Sequence, residues 1–548
     1  VTRTARIGGR TKRRLEKVPA MALHKMDAVD AAWFHMDGRA NLAMVTSVAL
    51  TRTRLDFDKV KALYAERLAD FPRFRQRVVE RGLPVPLPHW EDMPDFDIGQ
   101  HVHHVALPAP RGRRALERLL SDIASAPLDR LQPLWQVHVI DGVGRGSALV
   151  TRFHHCMGDG TSMTALSMRL YDPAPGAPVE RRTRRPRKAE VATGEGWFDT
   201  ALGTLTDTAR GVAATAQAAL EAARHPQALI DKAALIAGGA GMLLTELLKA
   251  DDPPSPFKGE FALPKRVAWS APVSIADVKA IGTLADAKVN DVLVAGMTGA
   301  LRAYLKRRGV DVERTTLRAL VPVDLRPPER ALELGNDFGL VLLELAVAAR
   351  TPLDRLRLTK ANMDALKRSP EPVAMRVLFD LFGRTPKAVS DIPQSLISRK
   401  ASVVMTNVIG ARETLYVAGV PIERVMFWVP HPGDELGMGI SILSYCGHAT
   451  LAIIADAHLV PDPETITRRF EREFEAMLAA ARQAPAARTA RANRSAVMKT
   501  PGKKAPAKKA PPRTSAGKTD VVKASAVKAS AVKASAVKAS AVKKLTAK

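Results

Sequence analysis

From Phe153 the chain reads FHHCMGDGTS, with three residues between the second of two adjacent histidines and an Asp-Gly pair. An imidazole whose ordinary pKa lies near 6.5 can take a proton from an alcohol or a thiol at neutral pH. His155 is therefore the natural general base. His154, its neighbour on an extended segment, points to the opposite side and packs. Asp159 is expected to hold the turn by pairing with a basic group such as Arg152, and Gly160 to let the backbone make a turn that a side chain would obstruct. Cys156 offers a rival chemistry, a thiolate activated by the adjacent histidine, but neighbours on an extended segment point apart. A lone histidine is more often a satisfied core residue; the complete HHxxxDG pattern sets this one apart.

The elements around the motif follow from its flanks. SALVTRF reads as a strand that ends at the histidines, and TSMTALSMRL begins a helix with Thr161 or Ser162 as its cap. The motif thus sits on a strand-to-helix connection, where a side chain is presented at the edge of a sheet. WQVHVI (135–140) and SALVTRF (147–153), joined by the glycine-rich DGVGRG, predict a hairpin, and NLAMVTSVAL (41–50) predicts another strand. Further on, SIADVKAIGTLADA and VNDVLVAGMTGALRAYLKRR read as amphipathic helices, followed by strands LRALVPV, FGLVLLELAV, ASVVMTNV and GISILSY. In the second helix Val289, Leu293, Met297, Ala300 and Tyr304 recur at helical spacing, leaving Arg302, Lys306 and Arg307 on the other face. Strands and helices mix in both halves, which points to two α/β layers.

With 548 residues, 46% hydrophobic and 25% charged, the chain has the composition of a globular protein. The formal charge of +27 suggests a nucleic-acid binder until it is divided. Residues 484–548 contribute +16 and residues 1–18 contribute +6, leaving +5 for everything between. The charge belongs to the tails. The C-terminal one holds four copies of KASAV from Lys523 to Val542. A five-residue period gathers no face on a helix or a strand, so this tail is expected to be disordered, a solvated polycation with at most non-specific affinity for polyanions.

Two cysteines, Cys156 and Cys446, make neither a disulfide framework nor a metal-binding CxxC, and no metal site is expected. The apolar run Ala233 to Thr245 falls short of the roughly 20 residues of a spanning helix. The basic N-terminus lacks the apolar segment of a secretory signal, so the expected compartment is cytoplasmic. The expected organisation is a basic disordered terminus (1–20), a first domain with HHxxxDG (21–171), a linker and helical bridge (172–260), a second domain (261–483) and the basic tail (484–548).

HHxxxDG is the signature of the CoA-dependent acyltransferase superfamily, which has the chloramphenicol acetyltransferase-like fold and includes peptide-synthetase condensation domains. Within it the chain resembles the bacterial wax ester synthase/diacylglycerol acyltransferase family. MDAVDAAWF (26–34) resembles the family's N-terminal block, FPRFRQRVV (71–79) its proline-arginine block and HWEDMPDFDIGQHVHHVALP (89–108) the acidic segment that follows. APLDRLQPLWQVHVIDG (126–142) carries the PLW motif and VNDVLVAGMTGALRAYL (289–305) the ND motif. ALVPVDLR, LGNDFG, VVMTNVIG and SILSY follow in family order, so the resemblance runs from about Ala22 to Arg482.

The resemblance implies an α/β fold of two chloramphenicol acetyltransferase-like domains, each a mixed sheet with helices. It also implies that His155 deprotonates an acceptor hydroxyl, which attacks the acyl-CoA thioester directly. Acyl-CoA is then a substrate and no cofactor is required. The acceptor is diacylglycerol, giving triacylglycerol, or a long-chain alcohol, giving a wax ester. Asn290 of the ND motif is the candidate donor to the oxyanion, although an Asn-Asp pair at a helix start reads equally as an N-cap. Asp159, Gly160 and His154 shape the site, and Pro133, Leu134 and Trp135 line the substrate channel or start the strand. Such acceptors imply peripheral contact with a membrane or lipid droplet, through the 233–248 segment and the basic termini or through neither. The family's serine followed by NVPGP is here Thr406, Asn407, Val408, Ile409, Gly410, Ala411, so acceptor choice does not carry over. The absence of carrier or adenylation modules weighs against a condensation-type enzyme. A polyanion- or granule-binding scaffold with an inactive core is the alternative from another class.

Overall fold

The computed structural model describes residues 23–38, 42–80, 87–176, 250–262, 264–327, 330, 333–369, 371–372, 375–376, 379–380, 398–431 and 435–497. The 233–245 run, most of the expected linker and helical bridge, the basic N-terminus (1–20) and the KASAV repeats lie outside these residues. Among the described residues no helix is long and apolar enough to cross a membrane. Contacts gather residues up to Thr489 into one compact unit, and the rest of the tail counts apart from it.

In chain order the strands are β1 (Leu23–Lys25), β2 (Met44–Thr51), β3 (Gln76–Val79), β4 (His89–Asp92), β5 (Val102–Ala106), β6 (Trp135–Val143), β7 (Gly146–His154) and β8 (Lys265–Trp269). They continue with β9 (Val273–Ser274), β10 (Leu317–Asp324), β11 (Phe338–Leu345), β12 (Val403–Ile409), β13 (Tyr416–Val417), β14 (Val420–Trp428), β15 (Met438–Tyr445) and β16 (His448–Asp456). The helices are α1 (Ala28–Met36), α2 (Phe57–Arg67), α3 (Arg113–Ser125), α4 (Gly160–Leu170), α5 (Ile275–Gly282), α6 (Val289–Arg307), α7 (Pro352–Leu366) and α8 (Pro463–Val497).

Two mixed sheets dominate. The first has the order β13-β14-β2-β7-β6-β5, and the second runs β11-β10-β12-β15-β16-β8 with β9 alongside β16. The expected hairpin is there: β6 and β7 pair antiparallel with Trp135 opposite Phe153. The segment 416–428, which follows the ND motif by more than a hundred residues, adds β14 to the first sheet beside β2. Strand β7 is buried along almost its whole length because both of its faces are covered. One face meets a core that includes Trp33, Trp135 and Phe153; the other meets α3 and residues of β8 and β16.

Helix α6 is less amphipathic than its periodicity suggests. Arg302, expected on an outer face, is buried and pairs with Glu313 at 3.1 Å while its guanidinium also reaches the Val347 carbonyl. A helix with β-sheet and helices on several sides is covered nearly all round. The ends of the expected linker are also tied down. Asp172 pairs with Arg67 at 2.6 Å and bridges Tyr416, and Asp252 accepts from Ser402 Oγ at 2.7 Å and from the Arg318 backbone at 2.8 Å.

Candidate active site

Strand β7 ends at His154, a single 3-10 turn covers His155–Met157, and α4 starts at Gly160. Its cap is Asp159, whose Oδ1 accepts from the Ser162 backbone at 2.9 Å, in place of the expected Thr161 or Ser162. Thr161 is already inside the helix and donates instead to Asp324 at 2.7 Å. The need for a bare backbone falls two residues earlier than expected. A Cβ on Gly158 would come within 2.6 Å of both Met163 Cε and Ser162 Oγ, whereas one on Gly160 would meet Val408 at an ordinary 3.5 Å.

Asp159 does not pair with Arg152. It receives Arg326 in a two-point contact, 3.1 Å to Oδ1 and 2.9 Å to Oδ2, and Oδ2 also accepts from the Asp337 backbone at 3.0 Å. Arg152 alternates with Thr151 and Phe153 along β7, and those two line the cavity described below, so Arg152 faces the other way. There its guanidinium contacts Met44 Sδ at 3.1 Å and the Ala126 carbonyl.

Three side chains fix the His155 ring. Asn336 Nδ2 donates to the His155 carbonyl at 2.7 Å and to Asp30 Oδ1 at 2.9 Å, so its amide orientation is determined and Oδ1 faces His155 Nδ1 at 3.0 Å. An amide oxygen only accepts; Nδ1 therefore carries the proton and the lone pair remains on Nε2. Asp30 also accepts from the Asn336 backbone at 2.9 Å and from Arg73 at 3.2 Å. Trp33 stacks on the imidazole with ring centroids 3.9 Å apart and planes 13° from parallel. Burial pushes the His155 pKa down to about 4, against the opposing charge of Asp159. It pushes Asp30 up to about 6 despite Arg73 and Asn336. The ring is thus neutral at pH 7, the form a base needs.

His155 opens on a cavity of about 330 Å³. Residues from both halves of the chain line it, among them Trp33, Trp135, Gly160, Asn290, Leu320, Asn407 and Phe427. Asn290 is the second residue of α6, which Lys288 and Asp291 cap between them; it is not the N-cap. Its Oδ1 accepts from Asn407 Nδ2 at 2.6 Å, which leaves its NH₂ group for another partner. Trp135 reaches the cavity and donates its Nε1–H to the Phe74 carbonyl at 2.9 Å. Pro133 and Leu134 are buried behind it and the Leu134 carbonyl accepts from the His154 backbone at 2.9 Å. His154 turns away from the cavity: its Nδ1 accepts from the Cys156 backbone at 3.1 Å and its Nε2 lies 3.7 Å from Asp37. Cys156 is fully buried, and burial raises its thiol pKa well above the ordinary value, which removes the thiolate chemistry.

Asn336, Asp30, Arg73, Arg326 and Trp33 were not singled out from sequence. Each lies in or next to a block quoted above, in LGNDFG, MDAVDAAWF, FPRFRQRVV or ALVPVDLR. A polar residue inside such a block was the available signal; which polar residues meet requires the fold.

Two mixed sheets around a shared cavity, with a histidine at a strand-to-helix turn, define a CoA-dependent acyltransferase-like fold. The first condensation domain of the calcium-dependent antibiotic synthetase has it too, with TM-score 0.52 and 14% identity over 84% of this chain and 96% of that one. So does the wax ester synthase/diacylglycerol acyltransferase from Marinobacter aquaeolei VT8, with TM-score 0.59 and 20% identity over 84% of this chain and 99% of that one. Residues 26–293 match the wax ester synthase/diacylglycerol acyltransferase catalytic domain and residues 334–478 the C-terminal domain of the same family. The chain belongs to that family and is an acyltransferase. A Mycobacterium tuberculosis H37Rv protein named as a probable diacylglycerol O-acyltransferase is 29% identical over 448 residues, 80% of this chain and 91% of that protein.

Proposed function

We propose that this chain joins an acyl group from acyl-CoA to the hydroxyl of diacylglycerol or a long-chain alcohol, with His155 as general base. The hydrogen bond from His155 Nδ1 to Asn336 Oδ1 carries this reading, because it leaves Nε2 free to accept a proton beside a mostly apolar cavity. The hydroxyl proton moves to Nε2 as the alkoxide oxygen attacks the thioester carbonyl. The tetrahedral intermediate then collapses, the C–S bond breaks, and the same proton passes to the departing CoA sulfur. No acyl-enzyme forms and no cofactor or metal takes part. The NH₂ group of Asn290, left over when Asn407 occupies its oxygen, is the donor to the oxyanion. Asp159 acts through the loop it holds and does not touch the substrate.

The names of the relatives support the diacylglycerol acceptor and the name of the Marinobacter structure supports both acceptors. Such acceptors dissolve in membranes and lipid droplets, so the enzyme works from the cytoplasm at their surface. The basic termini aid this docking, at about 1 kcal/mol per Lys or Arg close to an anionic surface.

Purified protein with palmitoyl-CoA and either hexadecanol or diolein should release CoA, and His155→Ala should lower the rate by about 10²- to 10⁴-fold. Equal rates for the two proteins would sink the proposal. Liposome co-sedimentation that is unchanged on removal of residues 484–548 would exclude the tail from docking.

A further inference from the structure

The cavity reaches well past the reacting centre. Helix α4 lines it along one stripe, with Gly160, Met163, Ser167 and Leu170 at helical spacing. Ten residues separate the ends of that stripe, about 15 Å at 1.5 Å per residue. The first sheet forms the floor. Val45, Ser47 and Ala49 of β2 line it, opposite Phe153, Thr151 and Leu149 of β7. From His155 to the Leu149–Ala49 row is six residues, about 20 Å at 3.3 Å per residue. No residue of β2 beyond Ala49 lines the cavity.

Near this far end the lining changes character. Tyr64 of α2 is buried and its hydroxyl meets Thr151 Oγ1 at 3.1 Å and the Tyr171 hydroxyl at 3.5 Å. Arg67, one turn further along α2, donates to the Leu170 carbonyl and to Asp172 Oδ1, both at 2.6 Å, which fixes the end of α4 to α2. The hydroxyls satisfy one another, so a chain pressed among them would have to separate polar groups that have no other partner. Elsewhere along the slot most side chains are apolar, and the hydroxyls of Ser47, Thr164 and Ser167 are turned to backbone carbonyls.

The geometry points to this slot as the compartment for the aliphatic chain of a lipid substrate, with Ala49, Tyr64, Thr151 and Leu170 setting how long a chain it takes. This rests on the acyltransfer reading above. A tetrahedral carbon zigzag with bonds of about 1.5 Å advances about 1.3 Å per carbon, so a slot of about 20 Å takes roughly 15 carbons. The chain belongs either to the acyl-CoA or to the acceptor, and both present the same chemistry.

Two substitutions move the end wall in opposite directions. Ala49→Leu fills the far end and should lower the kcat/KM ratio of a 16-carbon to an 8-carbon substrate by about tenfold or more. Leu170→Ala enlarges it and should shift preference towards 18- and 20-carbon chains, a gain that misfolding cannot mimic. One arm varies the acyl-CoA with hexadecanol fixed, and the other varies the alcohol with palmitoyl-CoA fixed. The arm that responds identifies the occupant. Quenching of tryptophan fluorescence by octanoyl- and palmitoyl-CoA, or by the matching alcohols, gives the same ratio without turnover, since Trp33 and Trp135 line the cavity. Altered chain-length ratios in binding with an inactive wild type would keep the compartment and overturn the acyltransfer reading. Ratios unchanged by both substitutions, in turnover and in binding, would overturn the compartment.

Discussion

The two sheets differ in where their cores come from. Every residue of the large core around α6, from Phe257 to Met477, comes from the chain after residue 250. The core beside His155 begins at Met26 but includes Leu320, Phe338, Val404, Phe427 and Tyr445. The polar contacts repeat the pattern. Asp291 caps α6 from within its own first turn, whereas α4 depends on an aspartate whose countercharge, Arg326, is 167 residues away. The second half is a scaffold with its own core, and the first presents a histidine whose orientation the second half supplies. A histidine held by distant contacts takes this orientation only when both halves of the chain have folded.

The difference can be broken at the clamp. Arg326→Ala leaves Asp159 buried without its countercharge and should destabilise the protein by about 3–5 kcal/mol in denaturant unfolding, with loss of activity. A loss under 1 kcal/mol would show that the loop stands without the clamp. Leu301→Ala in the core of the second half should cost about 2–5 kcal/mol in the same assay. Below its melting temperature it should retain wild-type activity per folded molecule, because the cavity does not include it. A proportionate fall in activity would mean that the scaffold and the site are coupled.

Smaller changes sharpen the contrast. Asn336→Ala removes the acceptor of the Nδ1 proton and should lower kcat by about 10²-fold with little change in KM, the sign of a misoriented base. An increase in KM alone would assign Asn336 to substrate binding. The pH dependence is the mildest test. With a folded pKa of about 4 against about 6.5 unfolded, His155 refuses a proton that the unfolded chain accepts. Its contribution to stability is present above pH 6.5 and declines as pH falls from 6.5 to 4. Asp30, raised to about 6, works in the opposite sense: its contribution is present below pH 4 and declines as pH rises to 6. The acid limb of kcat should accordingly fall near pH 4. A limb near 6.5 would show an imidazole in contact with water, and His155→Ala should flatten the stability slope between pH 4 and 6.5.

Much of the site was legible from local pattern, and the misreadings share one cause. Strand β7, the hairpin with β6, the presence of a helix after the motif and the outward turn of His154 follow from alternation and periodicity. Arg152 was the nearest cation to Asp159 in sequence, yet strand alternation carries it to the other face of β7. Thr161 and Ser162 are good cap types, but the helix starts one residue before them. Gly160 looked like the turn glycine, while the crowding from Met163 and Ser162 falls on Gly158. Segment 416–428 carries no sign of the sheet it joins, since an alternating strand fits either sheet.

The sequence by itself determined which histidine is the candidate base and the kind of turn that presents it, because these depend on residue type and on spacings of a few positions. Only the tertiary structure decided which nitrogen of His155 is free. That choice rests on Asn336 and Asp30 meeting across 306 residues of chain, and on burial that keeps the ring neutral. Hydrogen bonds act over about 3 Å, and no spacing along the chain records which distant residues will come that close.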